Sequence, residues 1–137
     1  MRKFGFGGFF TLIVLFVAGL FLSPLYAGSD PPTMTKEELK AHLGVQGFVI
    51  IDVRKASDWK ESENKIKNAV REDPDSAKDW ATKYPKDKAI VLYCTWRDEA
   101  TSARVAQELI KTGFTKVYAL KGGWNEWYKA EYPVEKK

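Results

Sequence analysis

Two residue types that often carry chemistry are almost absent from this sequence of 137 residues, which has one cysteine, Cys94, and one histidine, His42. A single cysteine cannot form an internal disulfide. One cysteine and one histidine also provide neither the number nor the spacing of ligands that a structural metal site needs. His42 lies in the first predicted helix, and nothing in the sequence brings it to Cys94. We therefore expect no metal and no cysteine–histidine catalytic pair.

Charged residues are absent between Lys3 and Asp30. This stretch contains the apolar run FFTLIVLFVAGLFL and then the small-residue site Leu25-Tyr26-Ala27. The layout is typical of a secretory signal peptide over residues 1–27, cleaved after Ala27. An uncleaved membrane anchor over the same residues is the alternative, because the run is long enough to span a bilayer. Both interpretations predict an exported domain in the periplasm or cell envelope.

A large excess of either charge is also absent. Without Arg2 and Lys3 the chain keeps 20 basic and 18 acidic residues, and no basic stripe with interleaved aromatic residues occurs. Nucleic-acid binding is therefore not expected. Membrane contact is expected only through residues 1–27, if they stay attached.

The remaining sequence divides into a linker and one domain. Pro31 and Pro32 exclude a helix or a central strand, so residues 28–34 are predicted to be a linker and residues 35–137 a domain. The predicted elements are a helix capped at Thr35, a strand at 48–53, a helix at 56–62 with Trp59 inward, a brief strand at 69–70, a helix from 73, a strand at 89–93, a helix from 100 to Gly113, a strand at 116–120, and a last helix after Gly122-Gly123, with Pro133 closing the fold.

Most of the predicted strands are apolar throughout, and they alternate with helices. This pattern predicts an α/β fold, with a mainly parallel sheet flanked by helices on both faces. In such sheets, ligands bind beyond the carboxyl ends of the strands. Cys94 directly follows the strand AIVLY, so a functional cysteine is favoured over a merely buried one.

The loop after Cys94 connects a strand with a helix. Its backbone N–H groups, together with the partial positive charge of the helix N-terminus, can stabilise an anion. A thiolate or a persulfide, Cys–S–S⁻, would fit such a loop without a charged side chain beside it. The position therefore predicts nucleophilic attack by Cys94 with a covalent intermediate.

Three segments of the chain resemble those of a rhodanese domain, in the family's order, over about residues 35–137. VIIDVRKASDWKESENKIKNAV resembles the opening segment, in which a strand ends in Asp-Val-Arg. VLYCTWRDEATSARVAQEL resembles the active-site strand, loop and helix, and LKGGWNEW resembles the Gly-Gly before the last helix. The resemblance implies a small rhodanese-like domain in which Cys94 carries sulfur as a persulfide, with no other cofactor.

The resemblance also implies a role for the loop beside Cys94. Its backbone is expected to hold the persulfide, through Thr95, Trp96, Arg97, Asp98, Glu99 and Ala100. Arg97 either guides an anionic donor or faces solvent, whereas Asp98 and Glu99 suit a helix N-terminus. Trp96 either lines the mouth of the site or packs against a helix. The Glu99-Ala100 pair is similar to that of a subgroup of these domains that is often exported.

Asp52 and Arg54 are expected to support the site, and Gly122-Gly123 has two interpretations. Asp52 and Arg54 should fix the strand end and adjoining loops by hydrogen bonds and an ion pair. Gly122-Gly123 either brings the backbone close to the active-site loop or only makes a tight turn.

The resemblance implies an exported sulfurtransferase that moves sulfane sulfur from thiosulfate or a similar donor to a thiol or cyanide. The expected partners are a small sulfur donor, a thiol acceptor and an envelope protein. A related phosphatase would need arginine six positions after the cysteine, where this chain has Ala100. The alternative function is a catalytically weak or inactive rhodanese-like module that binds a partner or senses redox state.

Overall fold

The computed structural model describes residues 30–96 and 100–137. Seven strands and five helices are formed in this part of the chain: β1 (Thr33–Met34), α1 (Lys36–Ala41), β2 (Phe48–Asp52), α2 (Ala56–Glu61), β3 (Asn64–Ile66), β4 (Val70–Arg71), α3 (Ala77–Trp80), β5 (Ala89–Tyr93), α4 (Ala100–Lys111), β6 (Lys116–Leu120), α5 (Gly123–Lys129) and β7 (Val134–Lys136). One-turn 3₁₀ segments, Pro74–Ser76 and Ala81–Lys83, precede and follow α3.

Five strands form one sheet in the order β1-β6-β5-β2-β4, and all neighbouring strands are parallel. Strand β5 lies in the middle, between β6 and β2, with Phe48 of β2 opposite Ala89 and Asp52 opposite Tyr93. Parallel central strands are buried on both faces, which explains their continuous apolar sequence. The predicted α/β fold with a mainly parallel sheet is confirmed.

Helices cover both faces of this sheet. Because side chains alternate along a strand, Ile50, Val91 and Tyr93 pack with Leu39 of α1 and Trp127 of α5 on one face. On the other face, buried residues of the strands pack against α3 and α4, through Ile51, Ile90, Leu92, Trp80, Val105 and Leu109. The helix start predicted at Thr35 is confirmed by a capping box, in which the Thr35 and Glu38 side chains each accept a backbone N–H of the other residue.

The predicted linker at residues 28–34 is wrong for its last two residues, which form β1. The backbone N–H of Ala119 donates to the Pro32 carbonyl at 2.9 Å, and that of Lys121 donates to the Met34 carbonyl at 2.9 Å. β1 is an edge strand, where neighbouring prolines that lack an N–H are tolerated. Residues 28 and 29 lie outside the described residues.

A small antiparallel sheet of β3 and β7 was not expected from the sequence. Asn64 lies opposite Lys136 and Ile66 opposite Val134, so the chain continues as a strand beyond Pro133. The short polar segments NKI and VEK contain no apolar run that would predict a strand. The brief strand predicted at 69–70 occurs one residue later, and the single helix predicted from residue 73 is divided into α3 and its two 3₁₀ turns.

Trp59 is half-buried on α2, which has no fully buried residue, so the prediction that it faces the core is wrong. Its ring lies instead beneath cationic groups: the Lys137 Nζ is 4.4 Å from the ring centroid, and the Arg71 and Arg54 guanidinium carbons are 5.2 and 5.3 Å away. Cations over an indole face are attracted by its quadrupole, which stabilises this arrangement at the surface.

No helix within residues 30–96 and 100–137 has the length and apolar character to cross a membrane. The predicted signal peptide or anchor, residues 1–27, lies outside the described residues.

Candidate active site

Cys94 directly follows β5 and lies at the carboxyl edge of the parallel sheet. Cys94 is only 6% exposed. Its Sγ is 3.6 Å from the Oγ of the buried Ser102 on α4 and 4.0 Å from the Trp96 carbonyl oxygen. A pocket of about 300 Å³ opens at the thiol and is lined by Lys55, Ser57, Asp58, Cys94, Thr95, Trp96, Ala100 and Thr101. The pocket is therefore large enough to hold a small sulfur compound beside Cys94.

The start of α5 lies directly against the loop that carries Cys94. The Trp124 backbone N–H donates to the Cys94 carbonyl at 2.8 Å, and the Asn125 N–H donates to the Thr95 carbonyl at 3.2 Å. Gly123 has φ +58°, and a Cβ at this position would lie 2.6 Å from the Cys94 carbonyl oxygen. Only glycine permits this contact, so Gly123 provides the close backbone approach that was one of two interpretations of Gly122-Gly123.

A second contact joins the loop to α2. The Thr95 hydroxyl donates to Asp58 Oδ2 at 2.8 Å. Asp58 therefore holds the residue next to Cys94 in position, and its carboxylate also lines the thiol pocket. Hydrogen bonds to a charged acceptor are stronger than neutral ones, which favours a fixed loop.

Asp52 and Arg54 form a fully buried ion pair at the end of β2. The Arg54 Nε and Nη2 groups donate to the Asp52 carboxylate at 2.7 to 3.1 Å, and Nη2 also donates to the Asn64 carbonyl at 3.0 Å. The guanidinium carbon lies 4.4 Å from the centroid of the Trp124 ring. The pair thus connects β2 to β3 and α5, as a bidentate arginine–carboxylate contact can.

Tyr93, at the end of β5, completes this buried network. Its hydroxyl donates to Asp52 Oδ2 at 2.6 Å and accepts the Ile66 N–H at 3.1 Å. Burial raises the pKa of Tyr93 well above its ordinary value, and the Asp52 charge raises it further. Tyr93 therefore stays neutral and acts as a structural donor immediately before Cys94.

The structure brings Thr95, Trp96 and Ala100 to the pocket with Cys94. Trp96 is 64% exposed at the mouth of the pocket, so it does not pack into the helical layer. Arg97, Asp98 and Glu99 lie outside the described residues. Asp52 and Arg54 do not line the thiol pocket and form the ion pair expected of supporting residues.

Five residues near the thiol were not singled out from the sequence: Lys55, Ser57, Asp58, Thr101 and Ser102. The first three come from the start of α2, which lies about 40 positions earlier in the chain. Only the parallel pairing of β2 and β5 brings this helix to Cys94. The signal for Ser102 was available, because a polar residue on the apolar face of a helix near the cysteine is unusual.

His42 is not near this site: its ring stacks on Phe48 with centroids 5.2 Å apart. Among the described residues, no group of three or more histidine, cysteine, aspartate and glutamate side chains is placed to hold a metal ion.

These features define a small α/β domain with a cysteine-bearing loop between a parallel strand and a helix. A model of the rhodanese-like domain family matches residues 35–130. The chain therefore belongs to the rhodanese-like domain family.

Two sequence relatives are similar over most of their length. The thiosulfate sulfurtransferase GlpE of Pseudomonas savastanoi pv. phaseolicola is 37% identical over 93 residues, which cover 68% of this chain and 83% of that protein. The uncharacterized protein YqhL of Bacillus subtilis is 31% identical over 122 residues, which cover 85% of this chain and 92% of that protein. The relatives named as sulfurtransferases support a rhodanese-like sulfurtransferase.

A solved structure shares the fold. The solution structure of the rhodanese-like domain from the Anabaena sp. Alr3790 protein has a TM-score of 0.66 at 25% identity and covers 77% of this chain and 80% of that one.

Proposed function

We propose that this protein is a sulfurtransferase that carries sulfane sulfur on Cys94 between thiosulfate, or a similar donor, and a thiol or cyanide. The observation that carries the proposal is the position of its one cysteine, at the carboxyl end of β5 in a pocket of about 300 Å³. The named relatives support the same reaction class.

The proposed reaction has two displacements at sulfur. The Cys94 thiolate attacks the outer sulfur of thiosulfate, the sulfur–sulfur bond of thiosulfate breaks, and sulfite leaves with that electron pair. The Cys94 persulfide is then attacked at its terminal sulfur by the acceptor, and Cys94 leaves as a thiolate. Thiosulfate is converted to sulfite, and cyanide to thiocyanate, so no external oxidant or cofactor is required.

Several residues beside the thiol suit these steps. The Ser102 hydroxyl, 3.6 Å from Sγ, can donate a hydrogen bond to an anionic sulfur. Lys55, at the edge of the pocket, supplies positive charge for an anionic donor. Helix α4 begins at Ala100, which lines the pocket, and the helix N-terminus favours negative charge there.

We also propose that the protein acts outside the cytoplasm, in the periplasm or cell envelope. This part of the proposal rests on the uncharged run and small-residue site in residues 1–27. Mass spectrometry of the protein from a fractionated culture tests it: a chain that begins at Gly28 supports cleavage, and a membrane-bound full-length chain supports an anchor. Full-length protein in the soluble cytoplasmic fraction would contradict export.

A second candidate function is a rhodanese-like binding or redox-sensing module. The exposed indole of Trp96 beside a thiol that is only 6% exposed favours this alternative, because it is a contact surface next to a shielded sulfur. The expected partner of such a module is an envelope protein, and Cys94 would not catalyse sulfur transfer.

Thiocyanate formation from thiosulfate and cyanide separates the two functions. If the protein is a sulfurtransferase, we expect double-displacement kinetics in the parent protein and no thiocyanate above background with Cys94→Ser. Equal activity in Cys94→Ser, or an inactive parent whose Cys94 still reacts with an alkylating agent, would overturn it.

A further inference from the structure

A second cleft, of about 540 Å³, adjoins the thiol pocket. Asp58, Thr95 and Trp96 line both spaces, so a molecule seated in the cleft lies next to the entrance to Cys94. The cleft is larger than the thiol pocket, and cyanide would leave most of it empty. Its size and position suit a sulfur acceptor that is larger than thiosulfate.

Aromatic rings form one side of this cleft. Trp96 is 64% exposed and Tyr128 is 56% exposed, and both belong to the few large hydrophobic side chains that are exposed in the described part of the chain. The Tyr128 ring contacts the buried Trp124 ring, with centroids 5.4 Å apart. Exposed aromatic faces bind apolar groups and cations, and they are enriched at protein interfaces.

The charge of the cleft is negative. Asp58, Glu61 and Glu63 line it, whereas the positive charge of its Arg54 is balanced by Asp52 at 2.7 Å. Three carboxylates beside aromatic faces attract a cationic group and repel an anionic one. A small anionic thiol is therefore disfavoured here.

From these observations we propose that the cleft binds the acceptor, and that the acceptor is a cysteine within a basic peptide segment of another protein. A lysine or arginine of that segment lies against Trp96 and Tyr128, near Glu61 and Glu63, and the cysteine faces the Cys94 persulfide. This inference rests on the proposed function for the transfer step. The peptide-binding step does not depend on it.

The transfer step is balanced without another reactant. The peptide thiolate attacks the terminal sulfur of the Cys94 persulfide, a new sulfur–sulfur bond forms on the peptide, and the bond within the Cys94 persulfide breaks. Cys94 is released as a thiolate, and any proton on the terminal sulfur stays with the new persulfide.

Binding is tested first, with acetyl-Arg-Ser-Arg-amide and acetyl-Glu-Ser-Glu-amide as probes and calorimetry of the purified protein as the readout. Serine replaces cysteine in these probes, so no sulfur chemistry is involved. We expect the basic peptide to bind at least about threefold more tightly than the acidic one, which is the size of an exposed cation–π contact plus surface charge. Higher salt should reduce this difference.

Paired variants locate the effect. Glu61→Gln with Glu63→Gln should reduce the preference for the basic peptide about threefold, and Tyr128→Ala should weaken its binding. Asp79→Asn with Asp87→Asn changes the net charge by the same amount at two exposed residues that do not line the cleft, and it should leave the preference unchanged.

Transfer is tested with the corresponding cysteine peptides and persulfidated protein. For each protein, the sulfur-transfer rate to the basic peptide is divided by the rate to the acidic peptide. The ratio for the parent is then compared with the ratio for each variant, and this comparison cancels the intrinsic reactivities of the two peptides. Equal binding of both peptides, or an equal effect of the two paired variants, would overturn the inference even if cyanide still accepts sulfur. Charge-selective binding in a protein that takes up no sulfur would instead overturn the proposed function alone.

Discussion

At the scale of single residues, Gly123 has the strictest requirement in the site. Its φ is left-handed, and a Cβ would lie only 2.6 Å from the Cys94 carbonyl oxygen, which leaves no room for a side chain. The neighbouring N–H groups of Trp124 and Asn125 hold the same loop. The atom that a Cβ would meet belongs to the backbone, so the clash cannot be relieved by rotating a side chain.

Gly123→Ala is therefore expected to lower the free energy of unfolding by about 2–4 kcal/mol and to slow sulfur uptake, because the loop must move. Gly47→Ala is the matched control: Gly47 also has a positive φ, +80°, but a Cβ there meets nothing within 4 Å. It should cost about 1 kcal/mol and leave uptake unchanged. Denaturant unfolding and thiosulfate-dependent activity measure both effects, and equal results for the two variants would contradict the close-approach argument.

Lys55 supplies a positive charge beside the thiol pocket. Because it is an exposed cation at the edge of the thiol pocket, Lys55→Gln should raise KM for thiosulfate about two- to fivefold with little change in kcat. The effect should shrink as salt is added. Lys78→Gln, an exposed lysine of α3 that does not line the pocket, should leave KM unchanged; an equal rise in both variants would indicate net charge rather than position.

At the scale of elements, the ends of β2 and β5 are joined by the network of Asp52, Arg54 and Tyr93. Tyr93→Phe removes the hydroxyl that bonds Asp52 and the Ile66 N–H, and it leaves a buried N–H without that acceptor. We expect it to lower the free energy of unfolding by about 1–3 kcal/mol at neutral pH. Tyr118→Phe, in β6, removes a hydroxyl with no hydrogen bond in the described residues and should cost less.

The same tyrosine predicts a pH dependence. Burial and the Asp52 charge raise the pKa of Tyr93 in the folded state, whereas an unfolded tyrosine ionises near pH 10. The unfolded state thus loses its proton first, so the parent's stability should fall as pH rises above about 10 toward the folded pKa. Tyr93→Phe should lose less stability over that range, as followed by urea unfolding at several pH values; parallel curves would contradict the assignment.

Element by element, the sequence was informative where burial dictates pattern. The strands FVIID and AIVLY are apolar because helices cover both of their faces, and the capping residues at Thr35 follow from backbone chemistry. β1, β3 and β7 were missed because each is two or three residues long, and their partners are remote in sequence. Such strands are defined by pairing, which a linear pattern does not contain.

The candidate site shows the same limit. Cys94 was predicted to be a functional residue because a strand end and a helix start are both visible in the sequence around it. Lys55 and Asp58 were not, because their proximity depends on β2 lying beside β5. The exposure of Trp96 could not be decided either, since an indole at a loop tip suits both a mouth and a helix contact.

At the scale of the whole molecule, the parallel sheet gathers the functional features at one edge. The network of Asp52, Arg54 and Tyr93 lies at the carboxyl ends of β2 and β5, next to the loop that carries Cys94. Helices α2 and α5 both donate or accept hydrogen bonds with this loop. The thiol pocket and the acidic aromatic cleft open side by side at this edge. This arrangement fits a donor that reaches Cys94 directly and an acceptor that binds next to it.

Sulfur transfer through Cys94 is tested by the intact mass of the reduced protein after incubation with thiosulfate and removal of excess reagent. We expect one added sulfur on the parent, no addition on Cys94→Ser, and loss of that sulfur as thiocyanate when cyanide is added. A parent that gains no sulfur from thiosulfate or a polysulfide, while its Cys94 still alkylates, would contradict the sulfur-carrier mechanism.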